Sequence, residues 1–280
     1  MAWQGFTSKT GEYDKCVELE GWDLLGRKVK APNAVKYDHV YVLPLLSIRM
    51  SKGTGVVTSV PSDAPMDYAA LRDAQSDAQF RKKYYLEDHM VADFHPVPII
   101  AIEAKDFSST QAAVDLVEKE QIKSAESVKK LETIKNTVYK LGFNFGKLIV
   151  GPEQYRNKPV ESVKEHIKKD MIDRGLAAVY WEPEGLVKSR TGVECVVAPT
   201  DQYFLTYGES KWQAQVMRHV QDVLNTYNPK THAEFVARVA WLREWACSRE
   251  FGLGTKLPMD TKFVIESLSD STIYMAFYTG

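Results

Sequence analysis

The chain has 280 residues, with 36 Lys and Arg against 37 Asp and Glu for a formal net charge of −1, and is 44% hydrophobic and 26% charged. That balance excludes a disordered polyelectrolyte, which is poorer in apolar residues and more lopsided in charge. It also excludes a uniformly basic nucleic-acid binder, although a local basic face is still allowed.

In chain order, Val40-Tyr41-Val42-Leu43 and Gly55-Val56-Val57-Thr58-Ser59-Val60 are short, β-branched and turn-bounded, and are expected as buried strands. A helix is expected to begin over Asp67–Asp73, with Ser62 or Asp63 as cap and Pro65 at an early position. Pro96-Val97-Pro98-Ile99-Ile100-Ala101-Ile102 reads as a strand whose prolines place it at a sheet edge. From Thr110 to Lys140 the chain is helical in character with a break near Ser124, and Val128, Leu131, Ile134 and Val138 form an apolar stripe. Lys147–Val150 returns as a strand.

Pro159–Arg174 is the cleanest helix, its stripe Val160, Val163, Ile167 and Met171 and its stop Gly175. Strands are expected at Leu176–Tyr180 and Glu194–Ala198, and helices at Lys211–Thr226 and Thr231–Cys247. A loop with Gly252 and Gly254 then leads into Phe263–Tyr278. The texture changes after Pro183, which sets a domain boundary near 183–190. Strands alternating with helices give an α/β class.

Most catalytic signatures are missing. Cys16, Cys195 and Cys247 are odd in number and far apart, so they suggest a reducing compartment rather than a disulfide framework. No apolar run approaches the ~18 residues of a membrane span, and the opening Met1-Ala2-Trp3-Gln4-Gly5 contains no signal-peptide core. An intracellular location is therefore expected. The six histidines have no metal-ligand spacing, and no metal site is expected. No GxSxG elbow occurs, and Gly53-Thr54-Gly55 and Gly252-Leu253-Gly254 lack the third glycine of a dinucleotide fingerprint. Lys164, Lys168 and Lys169 on the Pro159–Arg174 helix read as a solvated face before a phosphate contact.

One segment stands apart, running from Lys52 through Gly53-Thr54-Gly55 to Pro61-Ser62-Asp63-Ala64-Pro65-Met66-Asp67-Tyr68. Glycines allow close approach of a ligand to the backbone, and small hydroxyls and two carboxylates gather where a helix begins. Asp63 suits helix capping and ligand contact equally, whereas Asp67, toward the helix body, is the better ligand candidate.

GTGVVTSVPSDAP (Gly53–Pro65), followed by DYAALRD (Asp67–Asp73), resembles the editing-domain signature of eukaryotic cytosolic and archaeal leucyl-tRNA synthetases. The blocks Trp245–Thr255 and Glu266–Thr279, the opening Met1–Thr7, and Ser189-Arg190 through Glu194–Val197 to Asp201-Gln202-Tyr203 are similar to the same family, in order from end to end.

The resemblance implies a class I synthetase whose Rossmann-type catalytic domain is split by an editing insertion. On that basis 1–183 is an incomplete, mixed-strand editing domain. The connecting segment and the start of the second half of the catalytic domain then occupy 184–280. The family's HIGH motif and threonine-rich peptide are expected before Met1 and KMSKS after Gly280, so a fragment is expected, inactive by itself in charging and editing. Arg49-Met50-Ser51-Lys52-Gly53 is only superficially like KMSKS.

Asp67 matches the aspartate that holds the substrate's α-ammonium. Gly53, Thr54, Gly55, Thr58, Val60, Ser62 and Asp63 would line the editing pocket, with Thr58 and Val60 on one face. Asp270, Ser271 and Tyr274 would border the synthetic site, whereas Cys247, Ser248 and Arg249 would frame the return into the catalytic fold. The fragment needs no cofactor; ATP and Mg belong to the parent. The implied partners are the tRNA for leucine, leucine itself, and noncognate amino acids such as isoleucine and norvaline, in the cytoplasm. The alternative is a non-catalytic module that contacts tRNA or signalling GTPases, for which no residue speaks specifically. An unrelated hydrolase would need a nucleophile and base that the sequence does not supply.

Overall fold

The computed structural model describes residues 1–48 and 52–279. Of the KMSKS-like string, Arg49, Met50 and Ser51 lie outside the described residues. The chain is a mixed α/β structure that divides into two compact units, Met1–Val197 and Ala198–Gly280.

The first unit opens with a short helix, α1 (Gly21–Leu24), whose Asp23 carboxylate accepts from the Glu20 amide at 2.8 Å. Strands β1 (Lys28–Val29) and β2 (Val40–Tyr41) then pair antiparallel. Helix α2 (Pro65–Ser76) has Pro65 in its first turn, where a missing amide proton costs nothing. Its N-cap is Ala64, with no side-chain cap bond, so neither Ser62 nor Asp63 serves as the expected cap. Helix α3 (Ala78–Lys83) follows, capped by Asp77.

Strands β3 (Ile100–Ala104) and β4 (Phe107–Ser109) form a hairpin. Helices α4 (Ala112–Lys119) and α5 (Val128–Phe145) flank a break that spans the expected Ser124. Asp73 of α2 captures that break, its carboxylate accepting from Ser124 Oγ at 2.9 Å and the Ala125 amide at 2.8 Å. Strand β5 (Gly146–Leu148) completes an antiparallel sheet of order β4-β3-β5, and α6 (Val160–Asp173) follows. Strand β3 is therefore central, not the expected edge. Pro96 and Pro98 precede the strand instead of interrupting its ladder, and so cost it no hydrogen bond.

The core lies between sheet and helices, where Ile102 of β3, Ala69 of α2, Val117 of α4 and Leu131, Ile134 and Val138 of α5 are buried together. The predicted α5 stripe thus holds except at its first member, Val128, which is exposed in the opening turn. Arg72 fastens α2 to α4 through Glu118 at 2.8 Å, and Tyr68 donates to the same carboxylate at 2.8 Å. In α6, Val163 is buried, and Gly175 follows with φ +66°, the left-handed turn expected of it.

Two predicted strands are absent. Residues 55–60 are extended but pair with no strand among the described residues, and Val56 and Val57 are 54% and 59% exposed instead of buried. Leu176–Tyr180 is likewise unpaired, and Glu194–Ala198 is reduced to an isolated bridge between Lys188 and Glu194. β-Branched composition makes a chain ready for a ladder, but a ladder also needs a neighbour in register.

The second unit contains β6 (Phe204–Thr206), α7 (Ser210–Asp222), α8 (Pro229–Trp241), β7 (Glu244–Ala246), β8 (Ser248–Arg249), β9 (Lys256–Leu257), β10 (Asp260–Ile265) and α9 (Ser267–Thr279). Strand β6 pairs with β7 and β10 lies between β8 and β9, every described pairing being antiparallel. Helix α8 stops at Trp241 and the chain extends into β7, so the helix expected to reach Cys247 is shorter. Glu209 and Asn228 cap α7 and α8, and Gln213 Nε2 ties them by donating to Val239 O at 2.8 Å.

Two substitutions test the core of the first unit. Leu131→Ala removes a side chain with no solvent exposure and is expected to lower unfolding free energy by about 2–4 kcal/mol in urea titration. At Gly146 an added Cβ would fall inside van der Waals contact of Gly142 O and lie 2.6 Å from Ile100 Cγ2. Gly146→Ala should therefore destabilise despite adding one methyl, by about 1–3 kcal/mol in the same assay.

Candidate functional site

The predicted site residues fall into a cleft and a carboxylate cluster, both in the first unit. The cleft has a volume of about 500 Å³. Gly53, Thr54, Val56, Val57 and Thr58 form one wall, Ala178, Tyr180 and Glu182 another, and Phe6 closes part of the rim. Its two long walls are the extended segments that lack strand partners.

Glu182 sets their spacing. Its carboxylate pairs with Lys52 Nζ at 2.8 Å and accepts from the Gly53 amide at 2.7 Å, contacts that hold its pKa below the usual carboxylate range. Gln4 fixes the outer segment, its amide oxygen accepting from the Trp181 amide at 2.9 Å and its nitrogen donating to Trp181 O at 2.6 Å and Val197 O at 2.9 Å. Thr54 Oγ1 turns back on its own strand, donating to Val56 O at 3.0 Å. Gly53 and Gly55 both have positive φ, +55° and +74°, so the bend into the wall relies on residues without a Cβ.

The carboxylate cluster lies where this segment enters α2. Asp67 is in the first turn, nearer the helix start than expected, and is half-buried. Its Oδ2 accepts from the Val60 amide at 2.8 Å. Burial raises its pKa, while the Val60 bond and the Lys135 charge pull it down. Val60 therefore faces Asp67 through its backbone, and only Thr58 of the Thr58–Val60 pair is in the cleft wall.

Ser62 is buried and donates from Oγ to Asp63 Oδ2 at 2.6 Å. Desolvation pushes Asp63 up to about 6, against the smaller lowering effect of that bond. Helix α5 supplies two groups that the sequence reading does not single out, Lys135 and Tyr139, one turn apart on a face beside the buried stripe. Both aspartates raise the Tyr139 pKa through their charge. The signal was the i, i+4 spacing of an ammonium and a phenol, but nothing local says which helix they face.

The remaining predicted residues lie elsewhere. Asp270, Ser271 and Tyr274 are on α9 in the second unit and are exposed, with Ser271 Oγ donating to Ser267 O in its own helix. Cys247 and Ser248 are buried and anchor Tyr203, whose amide donates to Ser248 Oγ at 2.9 Å. On α6, Lys168 and Lys169 pair with Glu165 and Asp173, and Lys164 sits over the Phe143 ring. Among the described residues no three of His, Cys, Asp and Glu gather into a cation site, so the residues present do not by themselves fit Mg²⁺.

A raised carboxyl pKa means that the folded chain binds the proton more tightly than the unfolded one. The stability linked to Asp63 is therefore fully present below pH 3.8 and is lost as pH rises toward 6. Asp63→Asn removes that dependence. It should stabilise the chain by about 1–2 kcal/mol at pH 7.5 and be near neutral at pH 4, read from urea midpoints at the two pH values.

No protein-family model matches the chain. Individual relatives match it along nearly all its length. Cytoplasmic leucine–tRNA ligases of Dictyostelium discoideum and Pongo abelii are each 46% identical over 100% of this chain, covering 26% and 23% of those proteins. The leucine–tRNA ligase of Pyrococcus horikoshii is 39% identical over 96% of the chain and 27% of its own length. The chain thus spans about a quarter of the length of the curated relatives it matches.

Among solved structures, the CP1 domain of the leucyl-tRNA synthetase designated GlLeuRS superposes with a TM-score of 0.53 at 37% identity, over 60% of this chain and 62% of that one. The editing domain of the P. knowlesi cytosolic leucyl-tRNA synthetase gives 0.52 at 25% identity, over 59% and 52%. In sequence along its whole length, and in fold over about three-fifths of it, this chain corresponds to part of a leucyl-tRNA synthetase of the cytoplasmic and archaeal type.

Proposed function

We propose that this chain is part of a cytoplasmic leucine–tRNA ligase and contributes the acidic half of its editing site, with Asp67 gripping the α-ammonium of a misattached amino acid. The observation that carries the reading is the placement of Asp67. It is a half-buried carboxylate at the start of α2, with one oxygen oriented by the Val60 amide at the end of the segment that walls the cleft. A carboxylate accepts up to about four hydrogen bonds, so this anchor leaves capacity for an ammonium.

The need for such a site is energetic. A hydrophobic pocket separates leucine from isoleucine or norvaline by only about 1–3 kcal/mol, because the difference is one methyl group's presence or placement. A second site that hydrolyses the wrong ester supplies the rest. In it the ammonium is held by Asp67, and Gly53, Thr54, Gly55 and Thr58 shape the surface for the amino-acid side chain or terminal adenosine. Val60, Ser62 and Asp63 form the turn that presents Asp67. Water attacks the ester carbonyl carbon, the carbon–oxygen bond to the terminal ribose breaks, and the ribose hydroxyl leaves with a proton. Holding the ammonium fixes that carbonyl relative to the attacking water.

The 184–280 stretch, with Asp270, Ser271 and Tyr274, is read as the entry into the synthetic domain. There ATP and Mg²⁺ support ligation of leucine to its tRNA, and no step of editing is routed through them.

In a leucyl-tRNA synthetase carrying this sequence, Asp67→Ala should reduce deacylation of isoleucyl- and norvalyl-tRNA by roughly 10–150-fold, the equivalent of losing about 1.5–3 kcal/mol from a charge-assisted bond. Leucylation should stay within about twofold. The 280-residue chain alone should deacylate near the background rate, because the walls at 55–60 and 176–180 lack the strand partners that would lock them. Robust deacylation by Asp67→Ala enzyme would remove the reading.

A further inference from the structure

Asp67 does not face an empty surround. Helix α5 packs on α2 through Leu131, Ile134 and Val138, which share a core with Ala69, and Met66 and Tyr68 lie against that core. Lys135 and Tyr139 follow Ile134 and Val138 in sequence and therefore flank this seam. Lys135 is the cation whose charge acts on Asp67, and Tyr139 feels Asp67, Asp63, Glu132 and Lys135 together. The Lys135 ammonium is 3.2 Å from Glu132 Oε1 and 5.8 Å from the centre of the Tyr139 ring, and its side chain is 38% exposed. It has, in short, two acidic partners on opposite sides: Asp67 across the seam and Glu132 on its own helix.

We propose that Lys135 is a tethered counter-ion that holds the place of the substrate's α-ammonium at Asp67 in the resting protein and passes to Glu132 when that ammonium binds. The proposal rests on the reading of Asp67 given above. A half-buried carboxylate that waits for a cation is costly to leave unpaired. A lysine on a flexible stem neutralises it at a distance while keeping an alternative partner. A primary ammonium is also the group that the substrate presents, so resident and ligand compete for the same charge. Glu132 makes the exchange nearly neutral, because the displaced ammonium is not returned unpaired. A ligand without an ammonium gains nothing by displacing the lysine, which sharpens the preference for a free α-amine over an acylated one.

The test uses the 280-residue chain and norvalinamide, a small α-ammonium compound that is not an ester, followed through the Val60 amide resonance and the Asp67 carboxyl carbon. Removing Lys135 by Lys135→Gln should raise the Asp67 titration midpoint by about 0.3–0.7 and tighten norvalinamide binding by roughly two- to fivefold, the size of a partly screened ion pair. Lys135→Arg, which keeps the charge, should behave as the unaltered chain. An unchanged midpoint, or binding that is unchanged or weaker in Lys135→Gln, overturns the placeholder. Binding that is indifferent to Asp67→Asn instead overturns the ammonium reading of Asp67. In that case the Lys135–Asp67 pairing is still decided by the carboxyl midpoint alone.

Discussion

The hydrogen bond from the Val60 amide to Asp67 Oδ2 joins the two halves of the candidate site. On one side of it is an extended segment with few fixed contacts of its own, and on the other a helix seated in the core. Without the bond, the carboxylate would be free to rotate and the segment free to drift. With it, the position of the cleft wall is referred to α2, and the position of α2 to the core beneath it. Arg72, Tyr68 and Glu118 on one flank and Asp73 with the 124–125 turn on the other fix that helix. The site is therefore only as well defined as the packing of α2 against α4 and α5.

Two carboxylates at one helix start are partly reconciled with burial by local dipoles, Ser62 for Asp63 and the Val60 amide for Asp67. The outcome differs because the balance differs. Burial moves Asp63 up to about 6, within reach of neutral pH, whereas Asp67 also has a backbone donor and the Lys135 charge. Neighbouring residues of one chemical type are thus given distinct electrostatic characters by their surroundings.

Much of this architecture is legible from the chain alone, and the failures have a common cause. Helices α5 and α6 are announced by their own periodicity, because a helix satisfies its backbone internally and needs only one apolar stripe. Strands at 55–60 and 176–180 were expected on equally good composition and are not formed, because a strand is a property of a pair. Asp67 and the glycines around Gly53 are legible through motif resemblance. Lys135 and Tyr139 are not, since their relation to Asp67 exists only after two helices have docked. The prolines at 96 and 98 mislead for the opposite reason: they belong to the approach to β3 rather than to the strand itself.

The bare valines at 56 and 57 have a consequence beyond catalysis. An extended, β-branched stretch with an open edge is a template for intermolecular sheet growth, the hazard that natural proteins blunt with charges, prolines or a covering element. Here Lys52 stands before the stretch and Pro61 after it, a gatekeeper at each end but none within. At high concentration this polypeptide should therefore be adhesive along that margin, and its colloidal behaviour governed by a handful of aliphatic side chains rather than by its near-zero net charge.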